Sequence, residues 1–287
     1  MAYNKINILT FDIEEWFHLL DNDSTKSKKE WNNFPARIHH NMEVIYEILD
    51  KTNTKASFFV LGWIAEKYPE VVKEIKRRGF EIGSHTHMHQ LAYNQTKNEF
   101  YNDVERSIKT LEDITGDKVR MFRAPGFSIT VKNKWAFEVL HELGIEVDSS
   151  VFPAGRAHGG LKSYGHAEPN LLEYNGISLK EFPINTYSLI TRDLVFSGGG
   201  YFRALPYSVI KKLSKKSNYI MSYFHPRDFD HEQPLIEDLS FIRKFKSYVG
   251  LKKTKPKLIN WLTDFNFLDI KTAEKNIDWE VVKKIKL

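Results

Sequence analysis

The sequence predicts an α/β fold: a distorted (β/α) barrel of about seven strands, closed or left incomplete. Three observations carry that expectation. Short runs rich in β-branched and aromatic residues alternate with amphipathic stretches, the pattern of parallel strands joined by helices. Gly79 and Gly144 stand where helices should stop, and Pro206 stands where one should start. The strongest polar clusters fall at the ends of the apolar runs, where a barrel of this kind builds its site.

The strands expected are Ile6–Phe11, Ala56–Leu61, Phe80–Gly83, Val119–Ala124, Ile145–Val147, Leu179–Ile184 and Tyr219–Phe224, with a further run at Phe267–Ile270. Each is a short apolar stretch bounded by polar or turn-forming residues. Between them, helical periodicity covers Ile38–Lys51, Ala65–Arg78, Lys97–Thr115, Lys132–Leu143, Pro206–Lys215, Leu235–Tyr248 and Pro256–Asp264. Phe152–Gly176 is rich in Gly, His, Pro and Ser and reads as a long surface loop. No repeat or low-complexity linker divides the chain. The reading is one domain over residues 1–287, with a barrel core at about 5–228 and a C-terminal helical extension at about 235–287.

Composition narrows the chemistry. The 287 residues include no cysteine, which excludes a disulfide framework and a thiolate metal site. Any metal must be held by His, Asp or Glu. The net charge of +5 owes much to lysines near the C-terminus, such as Lys252, Lys253, Lys255, Lys257, Lys283 and Lys284. Such an excess is most often a solvated face, and it also suits an anionic glycan or membrane surface. Weak association with a membrane surface therefore stays open, and nucleic acid is not expected. The run Ile6–Phe11 is too short for a signal-peptide core, and no stretch approaches the ~18 apolar residues of a transmembrane span. The chain as given reads as cytoplasmic, or peripheral to the inner membrane, although removal of a leader would leave the same picture.

Five clusters carry chemistry. In Thr10-Phe11-Asp12-Ile13-Glu14-Glu15, strand alternation points Asp12 and Glu14 the same way and Glu15 the opposite way. Two carboxylates aimed at one place repel unless a cation or a proton joins them. In His85-Thr86-His87-Met88-His89, one turn of helix-like backbone would put His85 and His89 on one face, leaving His87 off it. Two His and a carboxylate make a hydrolytic metal site with open positions, for which Zn²⁺ is the default and other divalent ions are substitutes. In Arg123-Ala124-Pro125-Gly126-Phe127, the Arg can fix a carboxylate and Gly126 lets backbone approach a ligand. Asp148-Ser149-Ser150 and Tyr223-Phe224-His225-Pro226 place an acid and a His at late strand ends. An Asp that holds such a His tunes a general acid. Taken singly, each cluster could be ordinary surface polarity; their order and placement argue otherwise.

That order resembles carbohydrate esterase family 4, the polysaccharide deacetylases. A strand-end aspartate, an H-[ST]-x-x-H run, an R-x-P run, an Asp-Ser pair and a late His all occur in sequence between residues 10 and 226. Gly198-Gly199-Gly200-Tyr201-Phe202-Arg203 and His225-Pro226-Arg227-Asp228-Phe229-Asp230, followed by Glu232-Gln233-Pro234, look like the subgroup associated with exopolysaccharide biosynthesis loci. The resemblance implies that Asp12 is the catalytic base and that Glu14, His85 and His89 hold the metal. It further implies that Arg123 orients the base, that Asp148 partners the general acid, and that His225 is that acid. Gly126 is expected to serve the oxyanion, with Tyr201 and Arg203 as substrate contacts. Two departures stand out. Ile13 separates Asp12 from Glu14 where many members carry adjacent aspartates, and Gly126 replaces an aromatic residue common after the motif's Pro.

The function so implied is metal-dependent removal of an N-acyl group, acetyl above all, from an amino sugar. The sugar would belong to a surface polysaccharide or to its lipid-linked or nucleotide-sugar precursor. Two alternatives stand beside it: a small-molecule hydrolase opening cyclic amides or ureides on the same fold, and a carbohydrate-binding relic without catalysis. The sequence leaves oligomeric state open.

Overall fold

The first strand pair fixes where a site can form. In the computed structural model, which describes residues 2–20, 28–155, 159–188, 193–236 and 238–287, β1 (Ile6–Ile8) runs on into β2 (Thr10–Ile13). Side chains alternate along a strand. Ile6 and Ile8 accordingly join the packing inside the barrel, while Leu9, Phe11 and Ile13 join the larger cluster against the helices. Continuing inward, Thr10, Asp12 and Glu14 make the upper end of the same face polar.

The remaining strands are β3 (Ser57–Val60), β4 (Glu81–Ser84), β5 (Met121–Phe122), β6 (Val147–Asp148), β7 (Asn170–Tyr174), β8 (Ile177–Glu181), β9 (Tyr187–Ser188), β10 (Asp193–Leu194), β11 (Tyr219–Met221) and β12 (Lys284–Lys286). The main sheet has the order β12-β7-β8-β6-β5-β4-β3-β2, and every neighbouring pair is parallel except β7 with β8. β11 lies parallel to β1. It extends that pairing upward, where Asp12 N–H donates to Phe224 O at 2.8 Å and Phe224 N–H to Thr10 O at 3.2 Å.

Beyond β11 one parallel bridge, Gly198 with Tyr223, carries backbone pairing onward, and side chains add to the closure. Asn185 Oδ1 accepts from Met221 N–H and from the Ser197 hydroxyl, each at 3.0 Å, and the Tyr219 hydroxyl donates to Pro183 O at 2.8 Å. A single bridge and a few side-chain bonds in place of a full ladder are what make this a distorted, incomplete barrel. Inside, Phe59, Met121, Val147, Phe182, Tyr219 and Met221 fill the lower half. Space there is tight: a Cβ at Gly83 would lie 2.9 Å from Met121 Cβ and from the Phe59 ring.

Several elements differ from expectation. Ala65–Arg78 is two helices, Gly62–Lys67 and Pro69–Arg77, because Pro69 lacks the N–H needed to continue the first. Phe267–Ile270 is no strand. Leu268 makes one parallel bridge to Ile8, and Asp269 then caps helix Ile270–Lys275 by accepting from Thr272 N–H at 2.8 Å. The long loop ends in a strand, Asn170–Tyr174, which turns through Asn175 (φ 44°) and Gly176 (φ 85°) into β8. Asn-Gly between strands is a hairpin signal. Part of that loop, residues 156–158, lies outside the described residues. The C-terminal extension holds helices Phe241–Tyr248, Leu251–Asp264 and Ile270–Lys275, and then returns β12 to the main sheet. Lys97–Thr115 is a helix with the expected bounds, started by a capping box between Thr96 and Glu99.

Candidate active site

The upper end of the barrel gathers Asp12, Glu14, His85, His89, Arg123 and His225, from four different strand ends. Glu14, His85 and His89 each offer one ligand atom, and these atoms lie within 4.8 Å of one another. All three residues are buried. Glu14 Oε2 is 2.6 Å from His89 Nε2. His85 Nδ1–H donates to Arg123 O at 2.7 Å, because a carbonyl can only accept. That leaves Nε2 with its lone pair, the form a metal ligand needs. Burial lowers the His85 pKa to about 4, against the opposing pull of Asp12, so the ring is neutral and ready to bind. Burial would raise Glu14, but His89 and His225 outweigh it and hold the carboxylate at about 2. The donor set fits a divalent cation: two imidazoles and an ionised carboxylate.

The two histidines do not converge by a helical turn. Residues 85–90 are irregular, with Thr86 at φ 65° and His89 at φ 53°, the left-handed region that non-glycine residues avoid. The loop is held from outside by Asp103 of helix Lys97–Thr115, whose carboxylate accepts His87 N–H at 2.9 Å and Met88 N–H at 3.1 Å. Strain of this kind persists where surrounding bonds over-determine it, and often at functional sites. His87 points away, 3.1 Å from Glu66.

Glu15 is fully occupied elsewhere. Its carboxylate accepts from the backbone N–H groups of Arg37 at 2.8 Å, Ile38 at 2.9 Å and Trp16 at 3.3 Å, anchoring the start of helix Ile38–Thr52. The choice between Glu14 and Glu15 thus falls to Glu14 on geometry.

Arg123 is wholly buried and organises the base side. Its guanidinium donates to Asp12 Oδ1 and Thr10 Oγ1, both at 2.7 Å, and to Ser149 Oγ at 2.9 Å. The group is stacked 4.2 Å from the Phe59 ring centroid. One oxygen of Asp12 is therefore fixed. The other, Oδ2, lies 3.9 Å from His225 Nε2. Gly126 occupies a left-handed turn (φ 60°) directly behind this strand end.

His225 faces the cluster with Nε2, which is 3.8 Å from Glu14 Oε1. Its other nitrogen meets Asp228: Nδ1 is 3.2 Å from Asp228 Oδ2, and the same oxygen accepts His225 N–H at 2.9 Å. Burial opposes charging the ring, but Glu14, Asp228 and Asp12 together raise its pKa to about 9. The ring is an imidazolium at neutral pH.

Here the structure corrects the expected partnership. The carboxylate beside His225 is Asp228, not Asp148. Val147 and Ser149 point into the barrel, so strand alternation turns Asp148 away. Asp148 accepts instead from the Ser150 hydroxyl at 2.6 Å and Ser150 N–H at 3.0 Å, and is registered opposite Glu181. Burial and then Asp148 push the Glu181 carboxyl well above its ordinary range, so it keeps its proton.

The expected substrate contacts from Gly198–Arg203 also move. Arg203 is buried, with its guanidinium spent on protein. It donates to the carbonyls of Val249 at 2.8 Å, Lys246 at 2.9 Å and Ser247 at 3.0 Å, and its Nε stands 2.9 Å from Asp228 Oδ1. Burial opposes charge on Asp228, but Arg203 and His225 drive its pKa well down. Tyr201 is 47% exposed on helix Gly199–Ala204. The glycines serve packing: a Cβ at Gly198 would lie 2.2 Å from Tyr223 O.

Two residues at the site had no assigned role in the sequence. Asp228 was visible only as part of the six-residue run from His225 to Asp230. His18 accepts Glu15 N–H at its Nδ1 (3.1 Å), and its ring lies 5.9 Å from that of His89, walled in by Trp31 and Trp63. A lone His after aromatic residues gives no such signal.

Residues 7–147 match the model of the polysaccharide deacetylase family, and residues 149–275 match a domain of unknown function, DUF3473. The metal cluster, Asp12 and Arg123 lie in the first segment; Arg203, His225 and Asp228 lie in the second. Among curated relatives, a peptidoglycan-N-acetylglucosamine deacetylase of Bacillus cereus is 36% identical over 101 residues, 34% of this chain and 37% of that protein. A chitooligosaccharide deacetylase of Azorhizobium caulinodans is 34% identical over 82 residues, 28% of this chain and 39% of that protein. The chain thus aligns with less than half the length of these relatives. The solved structure of an assigned polysaccharide deacetylase of Mycobacterium smegmatis has a TM-score of 0.67 at 17% identity, covering 100% of this chain and 94% of that one. A carbohydrate esterase family 4 pseudoenzyme of Bacillus anthracis has a TM-score of 0.52 at 12% identity, covering 100% and 71%. At such identities the likeness is one of fold.

Proposed function

We propose that this chain, which matches the polysaccharide deacetylase family over residues 7–147, removes an N-acyl group, acetyl above all, from an amino sugar of a surface polysaccharide or its precursor. The observation that carries this reading is the convergence of a fixed carboxylate and an imidazolium beside the His-His-Glu cluster, at 3.9 Å and 3.8 Å. A binding relic needs neither a base nor an acid.

Glu14, His85 and His89 would hold a divalent cation, zinc by default. When bound, it supplies Lewis-acid polarisation of the scissile carbonyl and a more acidic water. The chain's own groups do the rest. Asp12 keeps Oδ1 tied to Arg123 and presents Oδ2 to take a proton from the attacking water. The backbone N–H of Gly126 would donate to the oxyanion. The amine leaves poorly without a proton, and His225 Nε2, charged at neutral pH, gives it one. Asp228 holds the opposite nitrogen and so fixes which one faces the substrate.

Mass spectrometry of products from a panel of acylated amino sugars, with added divalent metals, tests the proposal. Loss of an acyl mass from any N-acylated sugar supports it. Binding of the panel without turnover by the metal-loaded protein would replace it with the relic reading.

A further inference from the structure

We propose that helix Phe241–Tyr248 docks this protein on the surface of an anionic phospholipid bilayer. No residue of the helix is buried. Phe241 is 85% exposed, Ile242 65% and Phe245 59%, an unusual concentration of large apolar surface on eight residues. At about 100° per residue these three fall within one arc of about 100°. Lys244 and Lys246 flank that arc on its two sides. Arg243 lies opposite and turns back to the protein, where it donates to Leu20 O.

The helix is firmly mounted. Arg203 grips the carbonyls of Lys246, Ser247 and Val249 at its C-terminal end, and the Tyr248 hydroxyl accepts Ile236 N–H at 3.0 Å. Its apolar face is therefore presented, with no turn of the helix available to bury it.

Charge selects the occupant. From Leu239 to Thr263 the chain has no Asp or Glu; Arg243, Lys255 and Lys257 bond within the protein, to Leu20 O, to Glu47 and to the carbonyls of Phe202, Arg203 and Leu205, which leaves Lys244, Lys246, Lys252 and Lys253 as the cations of this segment. An exposed apolar arc with a lysine on each flank is the arrangement that inserts shallowly into a headgroup layer while its ammonium groups reach lipid phosphates. The inference does not depend on what the barrel hydrolyses. It does set the site close to the lipid, because Arg203 links the helix end directly to Asp228 and hence to His225.

Vesicle co-sedimentation of the purified chain tests this, using phosphatidylcholine alone and phosphatidylcholine mixed with phosphatidylglycerol. Binding is expected only with phosphatidylglycerol present, and is expected to weaken as salt is raised. The triple variant Phe241→Ser, Ile242→Ser, Phe245→Ser should lower partitioning about 100-fold, as three large apolar side chains no longer leave water. Lys244→Glu with Lys246→Glu should lower it at least about 20-fold. These side chains are exposed, so the melting temperature of each variant should match the parent. Equal binding to both vesicle types, or unchanged binding by either variant, overturns the proposal. So does light scattering that shows a dimer abolished by the serine variant, which would make a second copy the occupant.

Discussion

Replacing Asp228 with Asn separates a working general acid from a histidine that merely fills space. His225 has its pKa raised to about 9, above the ordinary value, so its charged form is complete below about 6.5 and is lost as pH rises through 9. Asp228 holds Nδ1 at 3.2 Å, and an adjacent opposite charge is worth roughly one to two pKa units. On the alkaline side of the titration, a drop of roughly one to two units lowers the charged fraction about 10- to 100-fold. The alkaline limb of the rate profile should therefore move down by roughly one to two units in Asp228→Asn. A bound cation offsets Glu14 in both proteins, so the difference between the two profiles is the quantity to read. The assay compares an N-acetylated sugar with an activated aryl ester, whose leaving group departs without a proton. The amide should lose far more. Asp228 also faces the buried Arg203, and leaving that charge unpaired costs about 3–5 kcal/mol, so profiles are taken well below the measured melting temperature. Asp228→Glu, which keeps the charge, should restore the limb in part. An alkaline limb that stays put in Asp228→Asn, or moves as far in Asp148→Asn, would refute the partnership.

Three further outcomes follow from the same contacts. Glu14→Gln and His85→Ala should each purify with less metal by elemental analysis, whereas Glu15→Gln should keep its metal and melt at a lower temperature, having weakened the anchor for Arg37 and Ile38 N–H. Asp12→Asn should retain metal and fold but lose roughly 10²–10⁴-fold in turnover; parental rates would place the base elsewhere. Glu181, with its pKa raised by burial and by Asp148, supports the fold below its ordinary pKa and withdraws that support as pH rises through the raised value. Glu181→Gln should thus flatten the loss of stability on the alkaline side in denaturant titrations; a steeper loss would contradict a protonated Glu181.

What could be read from the sequence divides along one physical line. Placements that rest on strand alternation were legible. Asp12 and Glu14 share the inward face with Ile6 and Ile8, and Glu15 falls outside it; Arg123 follows Met121 inward by the same parity. The helix Lys97–Thr115 was legible because its capping residues are local. Roles that rest on how separate segments close on one another were not. His85 and His89 are four apart, but they meet through left-handed residues braced by Asp103 from another element, and no local spacing specifies that. Arg203 is a cation beside a glycine run, as a sugar contact would be; only the tertiary fold puts the end of helix Phe241–Tyr248 within its reach.

Asp148 is the instructive failure, because the parity that placed Asp12 also excludes it. Val147 belongs to the barrel interior and Ser149 reaches Arg123, so the residue between them must face the other way, toward Glu181. The resemblance supplied a role and the strand supplied a direction, and the two disagreed. Asp228 resolves the conflict at the opposite end of the argument. It follows His225 by three residues in a short 3-10 turn whose first residue is Pro226, a geometry that folds the carboxylate back onto the His225 N–H and ring together. A partner supplied three residues along the same chain needs no long-range closure to find its histidine, which is a physical reason for this barrel to leave Asp148 facing Glu181.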